Sequence, residues 1–238
     1  MADSTSAAAA WRPTPSSAWI ALLSASRSRA KSNCPLIACR VASDLLAESN
    51  AIHAELGVSL HAAVAYDEAN LAFLAGEPEA AETVLRPSME RLFAMGDRAL
   101  GATIAGMLAR ALVEQGRDDE AREIAETLDE TAAPDDMSAQ ILNRTVRGQL
   151  LARGGDLDEA DRLTAEAVTI AGRTDWLVDR ADALMARGEV LRVCGRADEA
   201  NRAFHQAFEL YTRKGNVVSA ERARAIVDTV PVWRTGRA

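Results

Sequence analysis

The chain has 238 residues and carries 27 Lys plus Arg against 35 Asp plus Glu, a net charge of −8. A surplus of acid on that scale argues against an exposed nucleic-acid footprint. No stretch approaches the roughly 20 consecutive apolar residues that a membrane span needs. Hydrophobic residues make up 48 % of the chain and aromatic ones only 4 %, a balance that favours helices packed through small side chains. The three cysteines, Cys34, Cys39 and Cys194, form no disulfide framework and imply a reducing, cytoplasmic setting.

Residues 1–37 are rich in Ala, Ser, Arg and Pro and carry Arg12, Arg27, Arg29 and Lys31 against Asp3. This composition suits a disordered or low-complexity tail. The apolar run Ala18 to Leu23 is too short, and too poorly flanked, for a secretory signal. From 38 to 57 the pattern turns helical, with Leu45, Ile52 and Leu56 on one stripe and Gly57 as terminator. This element reads as half of a repeat whose first helix is missing. It leads to the expectation that the chain derives from a longer protein, because a solenoid end needs a cap with a polar outer face.

A repeated hexapeptide organises the rest of the chain. Gly76-Glu77-Pro78-Glu79-Ala80-Ala81, Gly116-Arg117-Asp118-Asp119-Glu120-Ala121, Gly155-Asp156-Leu157-Asp158-Glu159-Ala160 and Gly195-Arg196-Ala197-Asp198-Glu199-Ala200 recur at a period near 40. Such a period marks a repeat architecture. Seven residues before each glycine stands a small residue: Ala69, Ala109, Gly148 or Gly188. Five after it stands alanine, and eight after it Val84, Ile124, Leu163 or Ala203. These offsets suit two helices that meet at a left-handed glycine and cross through small side chains. Acids just past the turn lie in the first turn of the second helix, where its dipole favours them, and Asp156 with Glu159 has capping-box spacing.

The spacing predicts repeats at 58–96, 97–135, 136–174 and 175–215, each an antiparallel hairpin, then a capping helix over 217–230. The last residues, 231–238, are expected to fray. Pro87 lies inside a predicted second helix and is expected to kink or shorten it. Thr131-Ala132-Ala133-Pro134 marks a clear break between repeats.

Motifs that carry chemistry are scarce. The sequence has no Gly-x-x-x-x-Gly-Lys phosphate loop and no Gly-x-Gly-x-x-Gly. His53, His61 and His205 lie apart, without metal-ligand spacing. Cys194 reads as a small buried hydrophobe beside a glycine turn. The acid clusters recur at one place in every repeat, which makes them helix-start charges rather than catalytic pairs. No metal, cofactor or enzymatic activity is expected.

Small residue, glycine turn, acidic pair and alanine together resemble the tetratricopeptide repeat. Its nearest copy spans Ala181 to Lys214, with Gly188, Leu191, Gly195, Ala200, Phe204 and Ala207 on matching positions. The resemblance implies an all-α, right-handed solenoid of antiparallel helix hairpins, about 9–10 helices in all. Its function would be non-catalytic, the binding of a peptide or partner protein in a concave groove lined by the first helices. Matching inward positions are Tyr66, Asn70, Phe73, Arg110, Glu114, Gln149, Arg153, Met185, Glu189 and Arg192. Arg110, Arg153 and Arg192, one per successive repeat, would suit a carboxylate-bearing segment. Exposed solenoid ends would also allow self-association. Segments 133–136, 147–160 and 211–220 further resemble the C-terminal repeats of actinobacterial signalling proteins, namely adenylate/guanylate cyclases with an AAA-type ATPase domain and ATPase-linked transcriptional regulators. That likeness implies a regulatory remnant without catalytic or DNA-binding parts.

Overall fold

The structure is a computed structural model that describes residues 61–229. The expected tail 1–37, the half repeat 38–57 and the end 231–238 lie outside the described residues, as do Cys34, Cys39 and His53. All described residues belong to one compact unit.

Nine helices form among the described residues: α1 (His61–Ala75), α2 (Pro78–Ala94), α3 (Arg98–Glu114), α4 (Asp118–Thr131), α5 (Met137–Gly154), α6 (Leu157–Ala171), α7 (Leu177–Val193), α8 (Ala197–Lys214) and α9 (Val217–Thr229). They pair in sequence as hairpins α1/α2, α3/α4, α5/α6 and α7/α8, with α9 against α8. First helices also touch one another in series, α1 to α3, α3 to α5 and α5 to α7. The architecture is therefore an inner row of first helices backed by second helices. An all-α solenoid of sequential helix hairpins was expected, and that is what forms.

The physical basis of each hairpin is the one the spacing implied. Gly76, Gly116, Gly155 and Gly195 all have φ between 75° and 91°, the region that costs a side chain with a Cβ. Where the two helices cross, Ala69, Ala109, Ala81, Ala121 and Ala160 are fully buried. Gly148 and Gly188 are more demanding still. A Cβ on Gly148 would lie 2.5 Å from Thr164 Cγ2, and one on Gly188 would lie 2.4 Å from the Phe204 ring. Phe204 fills the last hairpin only because Gly188 leaves it the space.

Caps sharpen the helix starts. Asp156 Oδ1 accepts from the Glu159 amide, as its spacing implied, at 3.3 Å. Asp97 and Asp136 do the same for α3 and α5, at 3.1 Å each. Pro87 does not shorten α2, which continues to Ala94. Its ring sits at an exposed position, with Thr83 four residues earlier also exposed. The carbonyl it leaves without an amide can thus face water. Cys194 is half-buried rather than buried, its Sγ 3.8 Å from the Leu157 carbonyl oxygen. Burial is the main influence pushing that thiol up.

Junctions between hairpins are not equivalent. Between the first and second, Arg117 bonds Glu120 through two nitrogens at 2.6 Å and reaches back 35 residues to Glu82 at 2.5 Å. Between the third and fourth, Arg196 bonds Glu199 at 2.7 and 2.6 Å and reaches back 35 residues to Asp161 at 2.6 Å. This staple is one device used twice. Between the second and third hairpins the arginine is replaced by Asp156 and the distant acid by Arg122. The charges are exchanged, yet no ion pair joins these two among the described residues. Both instead line a cavity of about 270 Å³ floored by Ala125, Leu150 and Leu151. A second cavity of about 490 Å³ adjoins it across Asp129 and Arg147. Nearby, Asn143 is buried and donates to Asp129 at 2.7 Å, while its own side-chain oxygen has no partner among the described residues.

Candidate functional site

Of the residues expected to line a groove along α1, α3, α5 and α7, several contact one another. Phe73 is buried at the end of α1, and the Arg110 guanidinium stacks over its ring, 4.2 Å from the centroid. Arg110 also donates to Glu114 at 2.9 Å along α3, and to Asp182 on α7 at 2.9 Å. Desolvation would lower its pKa, but the charges of Asp182 and Glu114 outweigh that and hold it above the ordinary range. Gln149 on α5 donates to Glu189 on α7 at 2.9 Å. Tyr66 shares a side-chain hydrogen bond with Asn70. Met185 packs against the last hairpin's apolar clusters.

The arginines expected to suit a carboxylate-bearing segment, one per successive repeat, behave differently from one another. Arg110 is engaged as described. Arg153 donates to the Val113 carbonyl at 3.0 Å and to Asp118 at 2.5 Å, tying α5 to the α3/α4 hairpin. Arg192 is exposed at the far end of α7. The three guanidinium groups stand at different offsets from their turn glycines, and Arg110 and Arg153 bond different acids.

Four residues that complete this face were not singled out from the sequence. Asp182 receives both Arg110 and the Tyr211 hydroxyl, so α3, α7 and α8 meet at a single carboxylate. Tyr211 is raised well above its usual value by burial first and the Asp182 charge second. Asp179, one turn before Asp182, has its pKa raised chiefly by desolvation and next by Asp182, and no described cation forms an ion pair with it. Its charge, after burial, is the next influence pushing Tyr66 up, which sets α1 and α7 opposite one another. The fourth is Arg222 on α9, which donates to the Phe73 and Leu74 carbonyls at 2.7 Å each. A signal existed only for Asp182, which lies one helical turn before Met185 on α7. The others depend on how far the row bends.

Among the described residues no cluster of three metal-ligating side chains occurs, and no helix is long and apolar enough to cross a membrane. His205 is exposed and lies 3.4 Å from Glu209 on its own helix.

Comparison with known proteins agrees with the hairpin geometry. The tetratricopeptide repeat family matches residues 53–87, 102–127 and 144–171. No curated protein matches the chain. The apo form of the quorum sensor NprR from B. thuringiensis superposes with a TM-score of 0.53 at 12 % identity, covering 79 % of this chain and 53 % of that one. The chain thus spans about half the length of that structure. NprR in complex with its cognate peptide NprX gives a TM-score of 0.59 at 14 % identity, covering 89 % and 68 %. At such identities the likeness is one of fold. Repeat period, turn glycines and buried crossing residues converge on an all-α array of helix hairpins, three segments of which match the tetratricopeptide repeat family.

Proposed function

We propose that the inner row binds a peptide, or an extended segment of a partner protein, and that it has no reaction centre of its own. One observation carries the reading. The row brings half-buried polar side chains from three separate repeats to one face and leaves Asp179 there desolvated and without an ion pair. A carboxylate in that state favours an incoming cation. The preferred ligand therefore presents a lysine or arginine to Asp179 beside the Tyr66 ring, where cation–π attraction adds to charge. This differs from the carboxylate-bearing ligand that the arginine spacing suggests, because Arg110 and Arg153 already have acidic partners. That tetratricopeptide repeats commonly hold peptides, and that NprR has been crystallised with one, supports the class of ligand.

The test is selection of 12-residue peptides from a random displayed library against the full chain, followed by calorimetry on the winners. Enrichment of basic peptides, with at least tenfold weaker binding to Asp179→Asn at unchanged melting temperature, is the expected result. Winners that are acidic, or that bind Asp179→Asn equally well, would refute the reading.

A further inference from the structure

We propose that Arg222 is a clasp that joins the first and last described helices and closes the inner face, and that opening it swings the first two described hairpins away from the last two about the unstapled junction. The inference rests on the inner face being the binding face and adds how access to it is controlled.

The clasp spans 149 residues of sequence. Arg222 sits on the last helix, yet its two terminal nitrogens each bond a carbonyl of adjacent residues, Phe73 and Leu74, at the end of the first. Those carbonyls carry the negative end of the α1 dipole, and that of Phe73 also accepts from the Gly76 amide at 3.1 Å. A guanidinium, always charged and shaped as a fork, is suited to two neighbouring oxygens. Gly76 makes the approach feasible, since a Cβ there would lie 3.3 Å from the guanidinium. Behind Arg222, Ile226 and Val227 anchor α9 against the cluster of Leu191, Ala200 and Phe204 in the last hairpin. The clasp is thus a rigid helix at one end and a single exposed side chain at the other. Such a contact is weak enough to break without unfolding either repeat.

Closure constrains the same residues that would meet a ligand. Phe73 offers its ring to Arg110 and its carbonyl to Arg222. Arg110 then crosses to Asp182, which also receives Tyr211. The row is spanned from α1 to α9 by direct contacts, so a bulky guest must displace one of them. The compliant joint is the one between the second and third hairpins. It lacks the Arg-to-acid staple of its neighbours and holds both cavities and the unpartnered Asn143 oxygen. Besides the apolar packing of Val146 and Leu150 against α3 and of Ala139 against Leu128, its polar crossings include ion pairs of half-exposed arginines, Arg147 to Asp129 and Arg153 to Asp118.

The experiment is pulsed electron–electron resonance on the full chain, spin-labelled at Glu79→Cys and Ala225→Cys, with Cys34→Ser, Cys39→Ser and Cys194→Ala to remove other thiols. A narrow distance distribution in this background and a longer, broader one in Arg222→Gln is the expected pair of results. Arg222→Lys, which keeps the charge and loses the fork, should fall between them. Circular dichroism confirms that each variant is folded, which Arg222 at the surface leads one to expect. Identical distributions in all three would overturn the clasp. The hinge has its own test: Arg122→Glu with Asp156→Arg, added to Arg222→Gln, rebuilds the staple and should narrow the distribution, and an unchanged width would overturn its placement. No ligand is present in these measurements. A row that binds no peptide would leave their outcome intact, and a failed clasp would leave the peptide selection interpretable.

Discussion

Two junctions in this array are stapled and one is not, although all three are drawn from the same repeat. At the stapled joints a residue following the turn glycine, Arg117 or Arg196, gathers one acid three residues ahead and another 35 behind. At the open joint the same two positions hold Asp156 and Arg122, and the ends face a cavity instead of each other. Asp156 takes another task and caps α6, accepting from the Glu159 amide. The difference teaches that one turn position can serve either the helix that begins there or the neighbouring hairpin. An arginine is long enough to reach 35 residues back, and an aspartate is short enough only to cap.

The largest effect should come from attacking the helix crossing beside the open joint. Ala160 is fully buried, and its carbonyl lies 3.2 Å from where a Cβ on Gly148 would be. Ala160→Arg is expected to cost more than the ~1–3 kcal/mol typical of overpacking, read by urea denaturation. Because each repeat leans on its neighbours, the loss should spread along the array. A melting curve equal to that of the parent chain would show that the crossing tolerates bulk.

Next in size is the cap that starts α5 at the open joint. Asp136→Ala removes the acceptor for the Ala139 amide and should cost about 1 kcal/mol. Asp97→Ala, the same change at a stapled joint, should cost about as much globally. Hydrogen exchange separates them: Asp136→Ala should release α5 amides more than Asp97→Ala releases those of α3, since α5 has fewer supports behind it. Equal exchange at the two joints would mean that the staple adds no local stiffness.

Acid should distinguish the joints as well. Burial raises the Glu82 carboxyl, but hydrogen bonds from Arg86 and Gln115 and the nearby Arg117 outweigh it and hold it below the ordinary range. Bonds from Arg117 and Arg196 lower Glu120 and Glu199 likewise. Groups depressed in the folded state contribute stability that is present above their unfolded pKa and lost as pH falls through the folded one. Asp179 and Asp67 are raised by desolvation, so the folded state binds their protons more readily and gains from them as pH falls through the raised values. The stapled joints should therefore loosen below the ordinary carboxylate range, while the inner face should not. Exchange at the stapled joints that is constant across that range would contradict this.

The smallest change is expected from rebuilding the missing staple. Asp156→Arg with Arg122→Glu gains a surface ion pair and loses a cap, and these are of similar size and opposite sign. Melting temperature should hardly move, even as motion at the joint falls. A large shift in either direction would mean that the two positions do more than bridge or cap.

Much of the fold was legible in the residues because it is local. The left-handed turn glycines, the small residues at fixed offsets and the alanine five positions on fix each hairpin through contacts within about 20 residues, and the helix boundaries follow within a few positions. Pro87 does not shorten its helix, because an exposed ring lets the orphaned carbonyl meet water. The spacing named residues along the first helices but could not name their partners. Arg110 to Asp182 spans 72 residues and Arg222 to Phe73 spans 149.

By itself the sequence determined a stack of helix hairpins, since turn chemistry and side-chain volume at the crossings leave each repeat little choice. Only the tertiary structure decided that the first and last described helices meet, that Asp182 serves three helices, and that one of the three described joints lacks its staple. The reason is geometric: a small rotation per repeat accumulates along the array, and no single repeat records the sum.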